Sequence, residues 1–183
     1  MRKEVRLSGS GGQGLVLAGI ILAEAAAICD GHEVIQTQSY GPEARGGASR
    51  AEVIIADEAI DYPKVGVPDV VLVMSQEACN RYACQVKRDG IVVVDETNVK
   101  SAPAVEGARV VSLPITDIAR QGVGRQVTAN MVALGALVGV ADVATPEGLE
   151  QVIRTRVPRG TEELNLRAFR LGLERAREAI GST

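Results

Sequence analysis

Two glycine-rich stretches carry the side chains best suited to binding chemistry in this sequence. The first, GSGGQG at residues 9–14, fits the G-x-G-x-x-G pattern and lies between an apolar run and an alanine-rich run. Glycine lets a backbone turn sharply or approach another group closely, and a helix that begins there offers free N–H groups to an anion. The loop is therefore predicted to bind a phosphate group, unless its glycines only permit a strand and a helix to pack tightly.

The residues after this loop do not indicate a complete dinucleotide or ATP site. NAD-binding domains carry an acidic residue about 20 residues on, after the second strand, to hold the ribose. The second β-branched run here ends in QTQ at residues 36–38, and Glu33 stands at its start, which is the wrong end. Gly14 is followed by Leu15 rather than by the Lys-Ser or Lys-Thr pair of a Walker A loop. The pattern favours a single phosphate group over a whole nucleotide.

The second stretch, SYGPEARGG at residues 39–47, combines an aromatic ring, a proline-fixed turn, two opposite charges and a glycine pair. Glu43 and Arg45 are close enough along the chain to form an ion pair that only holds the shape of the loop. Loops of this composition also present such groups to ligands or partners. Arg45 could bond to a phosphate or carboxylate. A contact with another subunit is the equal alternative for this residue.

The elements that position these loops alternate along the chain. Strands are predicted near Glu4–Leu7, Glu33–Thr37, Glu52–Ala56, Val70–Met74, Ile91–Asp95 and Arg109–Leu113. Helices are predicted at 14–28, 75–88, 114–121 and 126–140, from 145, and from 161 to about 180. This order predicts an α/β fold with a doubly wound, mostly parallel sheet flanked by helices, right-handed crossovers and a helical C-terminal third. Residues 1–183 are expected to form a single domain.

Composition excludes several classes of protein. A net charge of −3 argues against a nucleic-acid-binding face, and an aromatic content of 2% leaves no stacking platform for single strands. No apolar run reaches the roughly 18 residues of a membrane span, and the MRKE start lacks a secretory leader, which predicts a cytoplasmic protein. The three cysteines and one histidine have no spacing typical of a disulfide framework or a metal site.

Several further motifs are collinear with those of one known family. The stretches GSGGQG, SYGPEARGG, AEVIIAD, PDVVLVMSQEA, IVVVDE, TANMVALGAL and ELNLRAFRLG follow one another from about Val5 to Gly172. In this order they resemble the gamma subunit of the 2-oxoacid:ferredoxin oxidoreductases, the pyruvate/ketoisovalerate oxidoreductase family. The form SYGPEARGG is similar to the gamma subunits of the 2-oxoglutarate and branched-chain types.

The resemblance implies that this chain is one part of an enzyme and is inactive alone. Such complexes oxidatively decarboxylate a 2-oxoacid, form an acyl-CoA and reduce ferredoxin. The resemblance also implies partners: alpha and beta subunits with thiamine diphosphate and Mg between them, and iron–sulfur clusters on beta or on a small delta subunit. Ferredoxin is then reached through the complex. The domain of fused relatives that corresponds to the gamma subunit is associated with coenzyme A.

The glycine loop is accordingly predicted to receive a phosphate group of coenzyme A, with Ser10 and Gln13 as side-chain donors. Loops that follow parallel strands gather at one edge of a sheet, which would bring the second stretch nearby. The predicted cofactor-binding residues are Gly9, Ser10, Gly11, Gly12, Gln13, Gly14, Tyr40, Glu43, Arg45 and Gly46. No catalytic residue and no metal ligand is assigned. The alternatives are a stand-alone phosphate- or nucleotide-binding module and the equivalent subunit of an indolepyruvate-type oxidoreductase.

Three smaller features carry open expectations. Gly11 is expected to need a positive φ. Asn130 is expected to be a helix-start residue without chemistry, or else to contact another subunit. The basic cluster of Arg154, Arg156 and Arg159 is interpreted as a solvated loop, with a phosphate or an acidic partner as the sharper alternative.

Overall fold

The computed structural model describes residues 1–39 and 48–181, which fold into strands and helices in alternation. The strands are β1 (Arg2–Ser10), β2 (Glu33–Ser39), β3 (Ala48–Ala56), β4 (Val70–Val73), β5 (Ile91–Asp95) and β6 (Arg109–Leu113). The α-helices are α1 (Leu15–Glu24), α2 (Gln76–Tyr82), α3 (Ile115–Asp117), α4 (Ala129–Val140), α5 (Pro146–Arg156) and α6 (Glu162–Gly181). Short π-helical turns extend α1 over Ala25–Cys29 and α3 over Ile118–Val123.

The strands form one six-stranded sheet in the order β2-β3-β1-β4-β5-β6. Strands β1, β4, β5 and β6 run parallel, as the sequence predicts. Strand β3 is antiparallel to both β1 and β2, so the expected crossover between the second and third strands is wrong. The reason is that β3 begins at Ala48 instead of Glu52, and residues 40–47 are too few for the dozen or more that a parallel crossover needs.

One face of the sheet carries most of the hydrophobic core. Side chains such as Leu7, Leu72 and Val93 pack there under α1, α4 and α6. Gly135 of α4 and Gly172 of α6 lie against each other's helix, and a Cβ at Gly172 would collide with the carbonyl oxygen of Val132. The small residues of α4 therefore serve packing within this chain, because the helix they accommodate is α6.

Helix α2 covers part of the opposite face. Val71, Val73, Val92 and Val94 form a second apolar cluster there, together with Tyr82 from α2. The same face carries the buried ion pair of Arg6 in β1 and Glu52 in β3, which lie directly opposite each other in the sheet. This face is thus more polar than the one that holds the main core.

The helix starts predicted at residues 75 and 145 are confirmed, and a side chain caps each of them. The Ser75 side chain accepts a hydrogen bond from the N–H of Ala78 at 3.2 Å, and the Thr145 side chain accepts one from Gly148 at 3.2 Å. Helix α2 ends at Tyr82, six residues before the predicted end at Arg88. Within the described ranges, no helix combines the length and the apolar character that a bilayer span requires.

Candidate functional site: the glycine loop and two flanking crevices

The glycine loop connects the end of β1 at Ser10 to the start of α1 at Leu15. Gly12 and Gly14 have φ angles of 86° and 74°, in the left-handed region that favours glycine. Gly14 is the N-cap of α1, and no side chain caps that end of the helix. The first amide groups of an α-helix have no partner inside the helix, so this end offers N–H donors to an outside acceptor.

The glycines of this loop are needed for different reasons. A Cβ at Gly9 would lie 2.8 Å from Leu15 Cδ1 and 3.0 Å from Met74 Cβ, which is too close for any side chain. Gly12 and Gly14 are needed for their positive φ. Gly11 has no positive φ, so that expectation is wrong, and no atom lies within 4 Å of a Cβ built there. Nothing in the described chain requires glycine at position 11.

Gln13 holds the loop in place. Its Oε1 accepts a hydrogen bond from the backbone N–H of Ser10 at 2.7 Å, and its Nε2 donates one to the carbonyl of Met74 at 3.0 Å. The carboxamide therefore ties the loop to the chain that follows β4. The hydroxyl of Ser10, by contrast, has no hydrogen-bond partner among the described residues. Of the two predicted side-chain donors, Ser10 is the freer one.

Asn130 fixes the loop from the other side. It lies at the start of α4 with 6% of its surface exposed, and its Nδ2 donates to the carbonyl of Gly14 at 3.2 Å. A Cβ at Gly14 would also collide with this amide. The sequence marks Asn130 only as a helix-start residue, because nothing local to the TANM motif shows that its partner lies far away in the chain.

Two crevices open on either side of Val127, a valine that is 80% exposed. The first, here called the Thr116 crevice, has a volume of about 320 Å³ and is lined by Gly12, Gln13, Thr116, Gln126, Val127 and Ala129. The second, the Asn165 crevice, has a volume of about 300 Å³. Its lining residues are Gly12, Gln13, Gly14, Leu17, Val127, Thr128, Asn130, Val157, Pro158, Thr161, Leu164 and Asn165. A crevice of about 640 Å³ between residues 113–122 and α6 shares no residue with the loop.

The chain that carries this loop is similar to known proteins over most of its length. Residues 4–175 match the family described as pyruvate ferredoxin/flavodoxin oxidoreductase, abbreviated POR. The chain belongs to the POR family. The resemblance drawn from the collinear motifs is thereby confirmed.

Individual relatives cover the POR chain almost end to end. The 2-oxoglutarate synthase subunit KorC of Methanocaldococcus jannaschii is 49% identical over 97% of this chain and 96% of its own length. The crystal structure of a keto/oxoacid ferredoxin oxidoreductase gamma subunit from Geobacter sulfurreducens is 45% identical, with a TM-score of 0.87, over 97% of this chain and 99% of that one. A 2-oxoglutarate:ferredoxin oxidoreductase from Magnetococcus marinus shares the fold at 24% identity and a TM-score of 0.86, over 97% of this chain and 31% of that one.

Asp95 shapes the Thr116 crevice of this POR chain, although its sequence motif alone assigns it no role. Its carboxylate is completely buried at the end of β5 and accepts hydrogen bonds from Thr116 Oγ1 at 2.6 Å and Asn98 Nδ2 at 2.7 Å. The backbone N–H groups of Thr97 and Thr116 also donate to it, each at 3.2 Å. Thr116 is thereby fixed in the crevice wall. An aspartate directly after a continuous apolar strand is the sequence signal for such a residue.

The second predicted stretch is attached at the same edge of the sheet as the glycine loop. Tyr40, Glu43, Arg45 and Gly46 lie outside the described residues. The described ends of their segment are placed by the sheet, because Ala48 pairs with Ser10 at the end of β1. The residues that flank the glycine loop and the second stretch therefore lie close together at this edge, as expected.

The basic cluster at the C-terminal end of α5 is mostly neutralised by acidic neighbours. Arg154 forms an ion pair with Glu163 at 2.8 Å, and Arg156 forms one with Glu24. The hydrogen bonds that Arg156 donates to the Glu24 carboxylate raise the pKa of Arg156 above its usual range. These two arginines thus act in a solvated surface network, as the sequence favours.

The cysteines have separate surroundings. Cys79 is buried in α2, and burial, followed by the nearby Cys84, raises the pKa of its thiol. Cys84 is exposed and lies beyond the end of the helix, so of these two cysteines Cys79 is the packing residue. Within residues 1–39 and 48–181, no three histidine, cysteine, aspartate or glutamate side chains converge as metal ligands.

Proposed function

We propose that this chain is the gamma subunit of a 2-oxoglutarate:ferredoxin oxidoreductase, which oxidatively decarboxylates 2-oxoglutarate to succinyl-CoA and reduces ferredoxin. The observation that carries the substrate assignment is the ranking of relatives. Identity is 49% to the KorC subunit of 2-oxoglutarate synthase. It is 34% to a ketoisovalerate oxidoreductase subunit and 31% to a pyruvate synthase subunit. We expect the complex to act in the cytoplasm.

The role proposed for the glycine loop is to hold a phosphate group of coenzyme A. Gly11 supports this role, because neither its φ angle nor its surroundings in the chain require glycine, whereas close approach of an outside group would. The uncapped start of α1 adds N–H donors and a favourable dipole. The Magnetococcus marinus enzyme, which shares this fold, has coenzyme A bound.

The residues proposed to surround that phosphate have distinct tasks. Gly11, Gly12 and Gly14 would present backbone N–H groups, and Ser10 would add its hydroxyl. Gln13 would act by holding the loop, since both ends of its carboxamide already bond within the chain. Tyr40, Glu43, Arg45 and Gly46 complete the proposed site from the segment that follows β2. Coenzyme A itself supplies the thiol that accepts the acyl group.

Partner subunits are proposed to hold the remaining chemistry. Thiamine diphosphate with Mg and the iron–sulfur clusters would lie on alpha and beta subunits, with delta in complexes that have one. The support is that the similar proteins are named as subunits of larger oxidoreductases. The described residues of this chain also bring together no set of metal-ligating side chains.

The test is to purify this chain from its native host through an affinity tag and to identify the proteins that accompany it. The complex is then assayed with 2-oxoglutarate, pyruvate and branched-chain 2-oxoacids, with ferredoxin as acceptor. Preferred turnover of 2-oxoglutarate that depends on coenzyme A supports the proposal. A complex that prefers pyruvate contradicts the substrate assignment, and a chain that purifies alone contradicts the subunit assignment.

A further inference from the structure

An arginine–tyrosine cluster lies on the sheet face that α2 covers, and it consists of Arg6, Arg50, Arg81 and Tyr82. The guanidinium carbons of the three arginines lie 5.4, 5.8 and 5.5 Å from the centre of the Tyr82 ring. The ring is almost completely buried. None of the four residues lines the Thr116 or Asn165 crevice. The cluster therefore lies outside both crevices beside the glycine loop.

The three arginines differ in how their charges are satisfied. Arg6 is buried, and its charge is paired within the chain. Its Nε donates a hydrogen bond to Glu52 Oε1 at 2.7 Å, and its Nη1 donates one to Gln85 Oε1 at 3.0 Å. Arg50 reaches the same glutamate only at 3.9 Å, and its buried Nε has no hydrogen-bond partner among the described residues. Arg81 is exposed, and no described carboxylate lies within ion-pair distance of it. Among the described residues, Glu52 is thus the one carboxylate within ion-pair distance of a cluster that carries three positive charges.

Such an arrangement is costly unless an acceptor beyond the described residues completes it. Buried N–H groups in native proteins are almost always paired, so the unpaired Nε of Arg50 indicates a missing oxygen. Arg50 and Arg81 together present unused donors in the fork geometry that binds carboxylates. The positive excess around Tyr82 makes an anionic acceptor the complementary one.

The shape of the surface favours a protein over a small anion as the source of that acceptor. The side chain of Arg50 is 35% exposed, and Ser39, which lies opposite it in the sheet, is exposed as well. An anion on such an open surface stays hydrated and is held weakly, whereas a protein surface would exclude water from the contact. Arginine and tyrosine are also the residue types that dominate the energetics of protein interfaces.

We propose that Arg50 and Arg81 bind a carboxylate of a partner subunit of the oxidoreductase, with Tyr82 holding both guanidinium groups in place. The docking surface consists of these two arginines and the neighbouring end of β2. Only the identity of the partner rests on the proposed function. The chemistry of the surface rests on the cluster itself.

The experiment uses the complex purified through a tag on this chain, and it measures how partner subunits are retained as the NaCl concentration rises. The double variant Arg50→Ala, Arg81→Ala is expected to release a partner with an apparent Kd raised about tenfold or more and with a weaker dependence on salt. Arg177→Ala, an exposed arginine of α6, is the matched control and is expected to behave as wild type. Retention and salt dependence equal to wild type in the double variant overturn the proposal.

Two further arms separate folding and small-molecule effects from docking. The double variant Arg50→Lys, Arg81→Lys keeps both positive charges but lacks the forked guanidinium groups. Its apparent Kd for the partner subunit is expected to lie between those of wild type and the double alanine variant. If the alanine variant unfolds at a lower temperature when isolated, Arg81→Gln alone is used, because that side chain is exposed. If the complex of the double variant stays intact but its KM for coenzyme A rises, the arginines bind a phosphate of coenzyme A. That result would overturn the proposed docking of a partner subunit. Wild-type turnover of 2-oxoglutarate, measured in parallel, tests the proposed function independently.

Discussion

Asn130 and Gly14, 116 residues apart in sequence, are joined by a hydrogen bond of 3.2 Å from the side-chain amide to the backbone carbonyl. The bond connects the start of α4 to the N-cap of α1. Because α4 is itself packed tightly against α6, the glycine loop is braced by a closely packed part of the helical layer. The conformation of the loop is thereby fixed before any ligand arrives.

The Asn130→Ala variant is expected to lose this brace. Removing this buried hydrogen bond should lower the free energy of unfolding by about 0.5–1.5 kcal/mol, because the Gly14 carbonyl keeps the hydrogen bond from the N–H of Ala18. The KM of the complex for coenzyme A should rise, since the loop would sample other conformations. Urea unfolding of the isolated chain and steady-state kinetics of the complex measure the two effects.

Asn80→Ala, in an exposed position of α2, is the control and should change the free energy of unfolding by less than about 0.5 kcal/mol. An unchanged KM in a destabilised Asn130→Ala variant would show that the brace has no part in binding.

A pair of substitutions in the loop separates the requirements of folding from those of binding. Gly12→Ala places a side chain at a φ of 86° and should destabilise the chain by about 1–2 kcal/mol. The Cβ that Gly11→Ala or Gly11→Val adds has no atom of the described chain within 4 Å, so both variants should be close to neutral in urea unfolding. Their KM for coenzyme A should nevertheless rise about tenfold or more, because the added carbon occupies the space proposed for the phosphate. A Gly11→Val complex with wild-type KM and normal assembly would exclude this loop as the phosphate site.

The sequence predicts the fold well where local patterns decide it. The strand over Ile91–Asp95 is reproduced to the residue, because a continuous apolar run ending in aspartate is typical of a strand buried on both faces. The start of β3 is predicted four residues too late, because the first part of the strand, residues 48–51, does not resemble a core strand. If residues 48–51 are counted as loop, the connection between β2 and β3 looks long enough for a parallel crossover.

The site is predictable only in part for a similar reason. The glycine pattern identifies the loop, but not which glycine serves packing and which leaves open space. Asn130 acts through Gly14, 116 residues away, and Asp95 acts in part through Thr116, 21 residues away. A single sequence does not show which residues form such pairs. Gln13 has the chemistry of a ligand donor, yet its contacts show that it holds the backbone.

The ion pair between Glu150 of α5 and Arg170 of α6 should make stability depend on pH. Two hydrogen bonds from Arg170, at 2.7 and 2.6 Å, lower the pKa of Glu150 below its usual value. The folded state therefore binds a proton less readily than the unfolded state, and the pair stabilises the fold above the unfolded pKa of about 4.3. This contribution is lost as the pH falls through the lowered folded pKa.

Glu150→Gln should accordingly reduce the free energy of unfolding at pH 7 by about 0.5–1 kcal/mol, the range expected for a well-formed surface pair. The difference from wild type should narrow as the pH falls below about 4. Urea unfolding across this range provides the measurement, with Glu174→Gln as the control on an exposed position of α6. A difference that stays constant down to about pH 3 would mean that packing, and not the charge of Glu150, supplies the stabilisation.

Asp95 offers the sharpest test of how the end of the sheet is built. Its two oxygens accept four hydrogen bonds. The donors are Thr116 Oγ1, Asn98 Nδ2 and the backbone N–H groups of Thr97 and Thr116. In Asp95→Asn one oxygen becomes an NH₂ group that faces donors, so at least one buried pair is lost, and the free energy of unfolding should fall by about 2–4 kcal/mol. Thr116→Val removes one donor and should cost about 1–2 kcal/mol, whereas Thr116→Ser keeps the hydroxyl and should cost less. If the Asp95→Asn chain unfolds at the wild-type urea concentration, the carboxylate is not what holds α3 and the wall of the Thr116 crevice.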